Sequence, residues 1–175
     1  DVGFYNGTLD DYLKGLEIMY RAKQKIAPGI KLTTGGVTVI HPKEKKNFSR
    51  DMYQRGKGFY DIACFHAHGS LQNYIEREEL VEKWLKEGGI DVPVCNTETG
   101  ERSGYTVDTI KRHCQVLLKK ITYAKSRNTE FYLWFTLQDY WDMDFEADDS
   151  FGLVTSDNRP KPAFLVYNEL IRQLG

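Results

Sequence analysis

Four short apolar stretches rich in β-forming residues recur along this chain, and amphipathic helical stretches separate them. They are Ile30–Val39, Tyr60–His66, Val92–Glu98 and Phe131–Thr136. Because parallel neighbouring strands must be joined by a crossover, usually a helix, this alternation predicts a parallel sheet with covering helices. One unit in roughly 30 residues is the spacing of β/α folds. The sequence therefore predicts an α/β protein in which one helix precedes four β-α units.

The helical stretches carry start and stop signals. Thr8 and Asp11 are spaced as a capping box, and the apolar residues that follow them have a helical period. Gly88 and Gly89 follow the apolar stripe after the second strand, where a helix can end. The segment Pro160–Leu174 has prolines near its first turn, the place in a helix that tolerates them.

Composition limits the classes of function. The chain has 175 residues with 24 Lys and Arg against 25 Asp and Glu, so no long-range field attracts nucleic acid or anionic lipid, and neither partner is expected. No apolar run approaches the roughly 20 residues of a membrane span, and Asp1-Val2-Gly3 does not begin a signal peptide. The length suits one domain, predicted over residues 1–175. Localisation stays open.

The three cysteines form neither a CxxC pair nor a disulfide framework. Cys64 and Cys95 fall on adjacent predicted strands, where we expect buried free thiols.

Two architectures fit this order of elements, an open doubly wound sheet and part of a (β/α)8 barrel. A complete barrel needs about 250 residues. Four strands from a barrel leave two strand edges that proteins normally cover or pair. The pattern of elements by itself leaves both architectures open.

Reactive residue types collect at the carboxyl ends of the predicted strands, where parallel α/β folds carry their chemistry. Glu98 ends a strand that is otherwise apolar, and strand parity places Asn96 on the same face. Glu101 is the weaker candidate because it lies in the loop. His66 and His68 share a face at the end of the preceding strand. Such a pair suits either a divalent metal or hydrogen bonds to substrate hydroxyls and a neighbouring carboxylate.

The last predicted strand contributes Trp134, and Gln138 and Trp141 follow it as further candidate substrate-binding residues. An indole ring offers a flat apolar face to the C–H surface of a sugar. The acidic run after this strand is interpreted as a solvated rim, because Ala147 and Leu153 stand where a calcium loop needs Gly and Glu. We therefore predict neither a metal nor a cofactor.

In order and spacing, these motifs resemble the second half of a clan A glycoside hydrolase, a retaining (β/α)8 barrel similar to families 39 and 5. The matching segments are Thr97-Glu98-Thr99-Gly100 for the strand-seven nucleophile, His66-Ala67-His68 for the strand-six His-x-Tyr, Leu133–Asp139 for the strand-eight tryptophan, Phe151–Phe164 for the entry to the final helix, and Asp1–Tyr5 for the residues after the strand-four Asn-Glu-Pro. The resemblance implies the C-terminal half of a TIM barrel, strands five to eight with their helices.

The resemblance also implies roles for individual residues. Glu98 would be the nucleophile that forms a covalent glycosyl-enzyme, which water then resolves. His66 would bind a hydroxyl of the sugar in the cleaved subsite, and Trp134 would form the floor of that subsite. His68 stands where the family has a Tyr that hydrogen-bonds the nucleophile. A histidine can form the same hydrogen bond.

A retaining enzyme needs two carboxyl groups about 5–5.5 Å apart, and this sequence offers one. The clan's acid/base is the Glu of Asn-Glu-Pro, whereas the Asn-Glu pair of this chain, Asn168-Glu169, lies in the terminal helix. We therefore expect the acid/base upstream of Asp1, and we expect this chain to be inactive by itself. Its open sheet edges should pair with the missing N-terminal half-barrel or with a second copy.

Two other functions remain open at this stage. One is a metal-dependent TIM-barrel hydrolase built on His66 and His68, with His41 and His113 as the remaining histidines. The other is a carbohydrate-binding barrel that has lost catalysis. Neither the glycan nor its linkage follows from the residues.

Overall fold

Helices and strands alternate in the predicted order in the computed structural model, which describes residues 5, 7–38, 48–139 and 150–174. The elements are α1 (Leu9–Ile26), β1 (Val37–Thr38), α2 (Phe48–Arg55), β2 (Ala63–His66), α3 (Leu71–Glu87), β3 (Val94–Thr99), α4 (Val107–Ser126), β4 (Tyr132–Trp134) and α5 (Pro162–Leu174). The strands form one parallel sheet in the order β1-β2-β3-β4. No helix within the described ranges is long and apolar enough to cross a membrane.

The helix starts follow from local capping. The Oγ1 of Thr8 accepts a hydrogen bond from the Asp11 N–H at 3.1 Å, and the Asp11 carboxylate accepts one from the Thr8 N–H at 3.1 Å. The Thr8 hydroxyl also donates to Oδ2 of Asp11 at 2.6 Å, and this bond, together with the one from the Thr8 N–H, lowers the pKa of the Asp11 carboxyl. The predicted capping box is confirmed, and a second box, between Thr106 and Thr109, starts α4. Such caps stabilise a helix by about 1 kcal/mol each.

The first predicted strand is shorter in the structure because side-chain hydroxyls interrupt its ladder. Thr33 makes a single parallel bridge, and regular pairing resumes only at β1. Between them, the Oγ1 of Thr34 accepts the N–H of Cys64 at 2.8 Å, and the Gly35 N–H donates to the Tyr12 hydroxyl at 2.7 Å. These bonds satisfy the N–H groups of Cys64 and Gly35 without strand pairing, so the hydrophobic pattern alone overestimates the strand length.

The chain divides into two compact units, and it passes between them at three points, after His66, inside α3 and inside β3. The first contains Asp1–His66 and Glu76–Thr97, and the second contains Ala67–Ile75 and Glu98–Gly175. The prediction of one domain over residues 1–175 stays a prediction. In the first unit, the buried Tyr53 hydroxyl donates to the Cys64 carbonyl at 2.6 Å. Burial raises the pKa of Tyr53 well above its ordinary value.

The core of the second unit lies between α4, α5 and β4. Leu117, Leu153 and Ala163 form its buried centre, and Trp134 packs against them. His113 of α4 lies in the same core, with its ring 5.5 Å from the Trp134 ring. Burial, together with the positive charge of Lys161, lowers the pKa of His113 from 6.5 to about 4. The native core therefore holds this imidazole neutral at pH 7.

We expect His113 to make the folded state sensitive to acid. Because its folded pKa lies below its unfolded value, its neutral form stabilises the protein fully above about pH 6.5, and this contribution is lost as the pH falls towards 4. The interval between the two values corresponds to about 3 kcal/mol at most. In urea unfolding, the free energy of unfolding of wild type minus that of His113→Phe should therefore fall by up to about 3 kcal/mol between pH 7 and pH 4. Carboxylates titrate in both proteins and cancel in this difference, so a pH-independent difference would contradict the expectation.

Candidate active site

Glu98 of β3 and His68, which follows the end of β2, are in contact. The Oε1 of Glu98 is 2.8 Å from the Nε2 of His68. Their side chains are 32% and 31% exposed, so the pair is open to a solute. A carboxylate can only accept, and we therefore assign the shared proton to Nε2 of His68. The structure thus brings together two of the residues predicted from the sequence, and their catalytic roles stay predictions.

Two phenylalanines surround the His68 ring. The Phe135 ring is 5.5 Å away at an interplanar angle of 85°, and the Phe151 ring is 5.3 Å away at 64°. The Nδ1 of His68 is buried and has no hydrogen-bond partner among the residues that the structure describes. If the proton is on Nε2, Nδ1 is only an unused acceptor. The other tautomer would bury an N–H group at Nδ1 without a partner. The apolar surroundings therefore favour donation from Nε2 to Glu98.

Gly100 allows the aromatic rings to approach His68 closely. A β-carbon at this position would collide with the backbone carbonyl of Phe135, and it would lie 2.9 Å from Cδ1 of Phe151. It would also lie 3.5 Å from Nδ1 of His68. The glycine of the Thr-Glu-Thr-Gly segment is thus required by packing beside the imidazole.

A buried lysine anchors the backbone on both sides of the Glu98–His68 pair. Lys120 of α4 is 0% exposed, and its Nζ donates to the Ala67 carbonyl at 3.0 Å and to Thr99 Oγ1 at 2.7 Å. The Thr99 hydroxyl in turn donates to the Ala67 carbonyl. Ala67 precedes His68 and Thr99 follows Glu98, so these bonds fix the two segments that carry the pair. A buried ammonium is tolerated only with such partners.

The segment that carries Phe151 is held by a second charged group. Lys161 Nζ lies 2.6 Å from Asp139 Oδ2 and donates to Ser103 Oγ at 3.0 Å. The Asp139 Oδ1 also accepts the Gly152 N–H at 2.8 Å. This mostly buried ion pair therefore fixes the residue next to Phe151.

Trp134 has contacts typical of a core residue. Its ring packs against the buried centre of the second unit, and its Nε1 donates to the Phe151 carbonyl at 3.3 Å. The aromatic ring of this segment that lies beside His68 is Phe135, which sequence reasoning missed. Successive strand side chains point to opposite faces, so the parity of Trp134 and Phe135 was the available signal. The subsite role of Trp134 stays a prediction.

The other predicted site residues have contacts of their own or lie outside the described residues. Asn96 is fully buried, and its Nδ2 donates to the Phe65 carbonyl at 3.1 Å. In the first unit, the His66 ring lies against Gly36, where a β-carbon would collide with it. Gln138 is exposed, and its Nε2 donates to the Ser156 carbonyl at 2.8 Å. Trp141 lies outside the described residues. Substrate binding by these four side chains stays a prediction.

Two observations bear on the other candidate chemistries. No group of three or more His, Cys, Asp or Glu side chains that could hold a metal is found in the described part of the chain, which does not include His41. Glu101, the weaker carboxylate candidate, is 4% exposed and forms an ion pair with Arg112. Glu98 is therefore the more accessible of the two carboxylates.

Comparison of the folds identifies glycoside hydrolases as structural neighbours. A family 17 β-1,3-glucanosyltransferase from Rhizomucor miehei matches with a TM-score of 0.63 and 18% identity, over 90% of this chain and 57% of its own. Xylanase 10B from Thermotoga petrophila, in complex with xylobiose, matches with a TM-score of 0.62 and 18% identity, over 91% of this chain and 52% of the xylanase. An endo-laminarinase from Formosa matches with a TM-score of 0.64 and 16% identity, over 93% of this chain and 53% of the laminarinase. No family profile matches the sequence, and no curated protein is similar to it.

These matches confirm the predicted fold class. The neighbours are clan A TIM-barrel glycoside hydrolases, and the chain spans about half of their length with its four parallel strands. They do not single out family 39 or family 5. Since the identities are below 20%, they establish the fold of this chain and leave its chemistry to be argued from the site.

We expect replacement of Lys120 to loosen the ends of the strands. Lys120→Met removes the donor to the Ala67 carbonyl and leaves that buried oxygen with fewer partners, which should cost about 1–3 kcal/mol in urea unfolding. Lys119→Met is the matched control, because Lys119 is an exposed neighbour on the same helix and its loss should change stability by less than about 0.5 kcal/mol. Equal effects of the two substitutions would show that the buried ammonium has no anchoring role.

Proposed function

We propose that this chain is the nucleophile-bearing, C-terminal half of a retaining glycoside hydrolase that cleaves β-linked glycans. The observation that carries the proposal is the 2.8 Å contact between Glu98 and His68 beside the rings of Phe135 and Phe151. A partly exposed carboxylate oriented by a donor, on a glycosidase fold, is the arrangement that a nucleophile needs.

In the first step, a carboxylate oxygen of Glu98 attacks the anomeric carbon as the bond to the leaving-group oxygen breaks. The leaving oxygen takes a proton from the acid/base residue, which belongs to the part of the barrel that this chain does not supply. In the second step, water attacks the same carbon, its proton returns to that acid/base, and Glu98 leaves as a carboxylate. His68 donates to Glu98 in the resting state, which holds the attacking oxygen in place.

The names of the neighbours support β-linked glycans as the substrate class. They are a β-1,3-glucanosyltransferase, an endo-laminarinase and a xylanase bound to xylobiose. The phenylalanine rings beside His68 provide apolar faces of the kind that pack on sugar C–H groups. A metal-dependent hydrolase has less support, because the Nε2 of His68 already contacts Glu98.

Covalent trapping tests the nucleophile directly. The longer protein that contains this chain should be incubated with dinitrophenyl 2-deoxy-2-fluoro β-glucoside and β-xyloside, whose leaving group departs without acid assistance. We expect a stable glycosyl ester on Glu98 in the peptide mass map. Glu98→Gln should abolish labelling and lower the hydrolysis rate by several orders of magnitude.

Glu101→Gln is the matched control, because Glu101 lies three residues further on but is buried against Arg112. It should retain labelling at Glu98. A label on another carboxylate, or full activity of Glu98→Gln, would refute the assignment.

The isolated 175-residue chain should have negligible activity on aryl β-glycosides. Without general acid catalysis the hydrolysis rate should fall by about 10²–10⁴-fold, the usual contribution of such a group. Half of the predicted barrel is also not supplied by this chain. The comparison is the specific activity of the chain against that of the longer protein under the same conditions. Turnover of the chain at normal enzymatic rates would contradict the half-barrel assignment.

A further inference from the structure

Two buried cysteines lie side by side on neighbouring strands of the first unit. Cys64 of β2 and Cys95 of β3 are both 0% exposed, and their Sγ atoms are 2.8 Å apart. The Ala63 N–H donates to the Pro93 carbonyl at 2.9 Å, a register that sets Cys64 directly opposite Cys95 in a parallel ladder. The pairing of the two strands therefore brings the thiols together.

This register satisfies the backbone requirement of a disulfide. Bridged cysteines have Cα atoms about 4.4–6.8 Å apart. Neighbouring strands in a sheet are separated by about 4.7–4.9 Å, which falls within that interval. The sulfur atoms can therefore bond by rotation of the side chains, without a change in strand pairing.

The surroundings of Cys64 favour its thiolate. The hydrogen bond from Cys95 lowers the pKa of Cys64, and hydrogen bonds from Thr33 and Thr34 act in the same direction against the effect of burial. The third cysteine, Cys114 of α4, is partly buried, and burial raises its pKa. Cys64 therefore has a larger thiolate fraction than Cys114 at the same pH.

We propose that Cys64 and Cys95 are an oxidisable pair that forms an intramolecular disulfide when the protein meets a peroxide. The Cys64 thiolate attacks one peroxide oxygen, the O–O bond breaks, and hydroxide leaves and takes up the proton that Cys64 released. The Cys95 thiol then attacks the sulfenic sulfur, an S–S bond forms, and a second water leaves. Two thiols and one hydrogen peroxide give one disulfide and two waters. The pairing does not depend on the proposed glycosidase function.

Peptide mapping of the folded wild-type chain tests this pairing without any variant. The chain is treated with hydrogen peroxide, alkylated with iodoacetamide in denaturant and digested without a reductant. We expect one cross-linked peptide pair joining Cys64 to Cys95, one alkylated cysteine, Cys114, and an intact mass lower by two hydrogen atoms before alkylation. Dithiothreitol should restore all three alkylatable thiols.

Variants and denaturant distinguish this pair from adventitious oxidation. Cys114→Ser should leave the bridge unchanged, and Cys64→Ser should abolish it. Oxidation in urea, where the strands are separated, should instead distribute the bridges among the three cysteines. Retention of both thiols while Cys114 oxidises, a bridge that includes Cys114 in the folded chain, or conversion of Cys64 to a sulfinic acid without a bridge would overturn the proposal.

Discussion

The candidate site depends on one buried cation. The Lys120 ammonium lies behind the ends of two strands, where it binds the carbonyl that precedes His68 and the hydroxyl that follows Glu98. Because an interior ammonium must satisfy its donors within the protein, it constrains these two segments more tightly than apolar packing would. Glu98 and His68, which are 2.8 Å apart, lie directly next to the two groups that Lys120 binds.

Aromatic side chains border the imidazole of the Glu98–His68 pair and limit the hydrogen bonds that it can form. Phe135 and Phe151 border the imidazole, and Gly100 leaves the space in which they approach it. Since Nδ1 of His68 is buried without a hydrogen-bond partner among the residues that the structure describes, the hydrogen bond of the ring is the one to Glu98. A hydrogen bond of this kind orients a carboxylate oxygen for attack.

Much of the fold could be predicted from short-range sequence patterns, whereas parts of the candidate site could not. The Thr8 capping box and the alternation of strands and helices are short-range patterns, and both are present in the structure. The first strand was predicted too long because Thr34 and Gly35 obtain hydrogen bonds from partners distant in sequence. Phe135 was missed because a Trp next to it is the more conspicuous residue, although strand parity separates the two.

The sequence by itself determined the order of elements, the strand-end placement of Glu98 and His68, and the resemblance to half of a glycosidase barrel. These features depend on periodicity, capping and motif spacing, which are properties of neighbouring residues. Tertiary structure alone decided that Lys120 would be an anchor, that Trp134 would be packed in a core, and that Cys64 would lie opposite Cys95. Each of these outcomes joins residues at least 17 positions apart, as between Trp134 and Phe151, so strand register and helix packing had to form before the contacts existed.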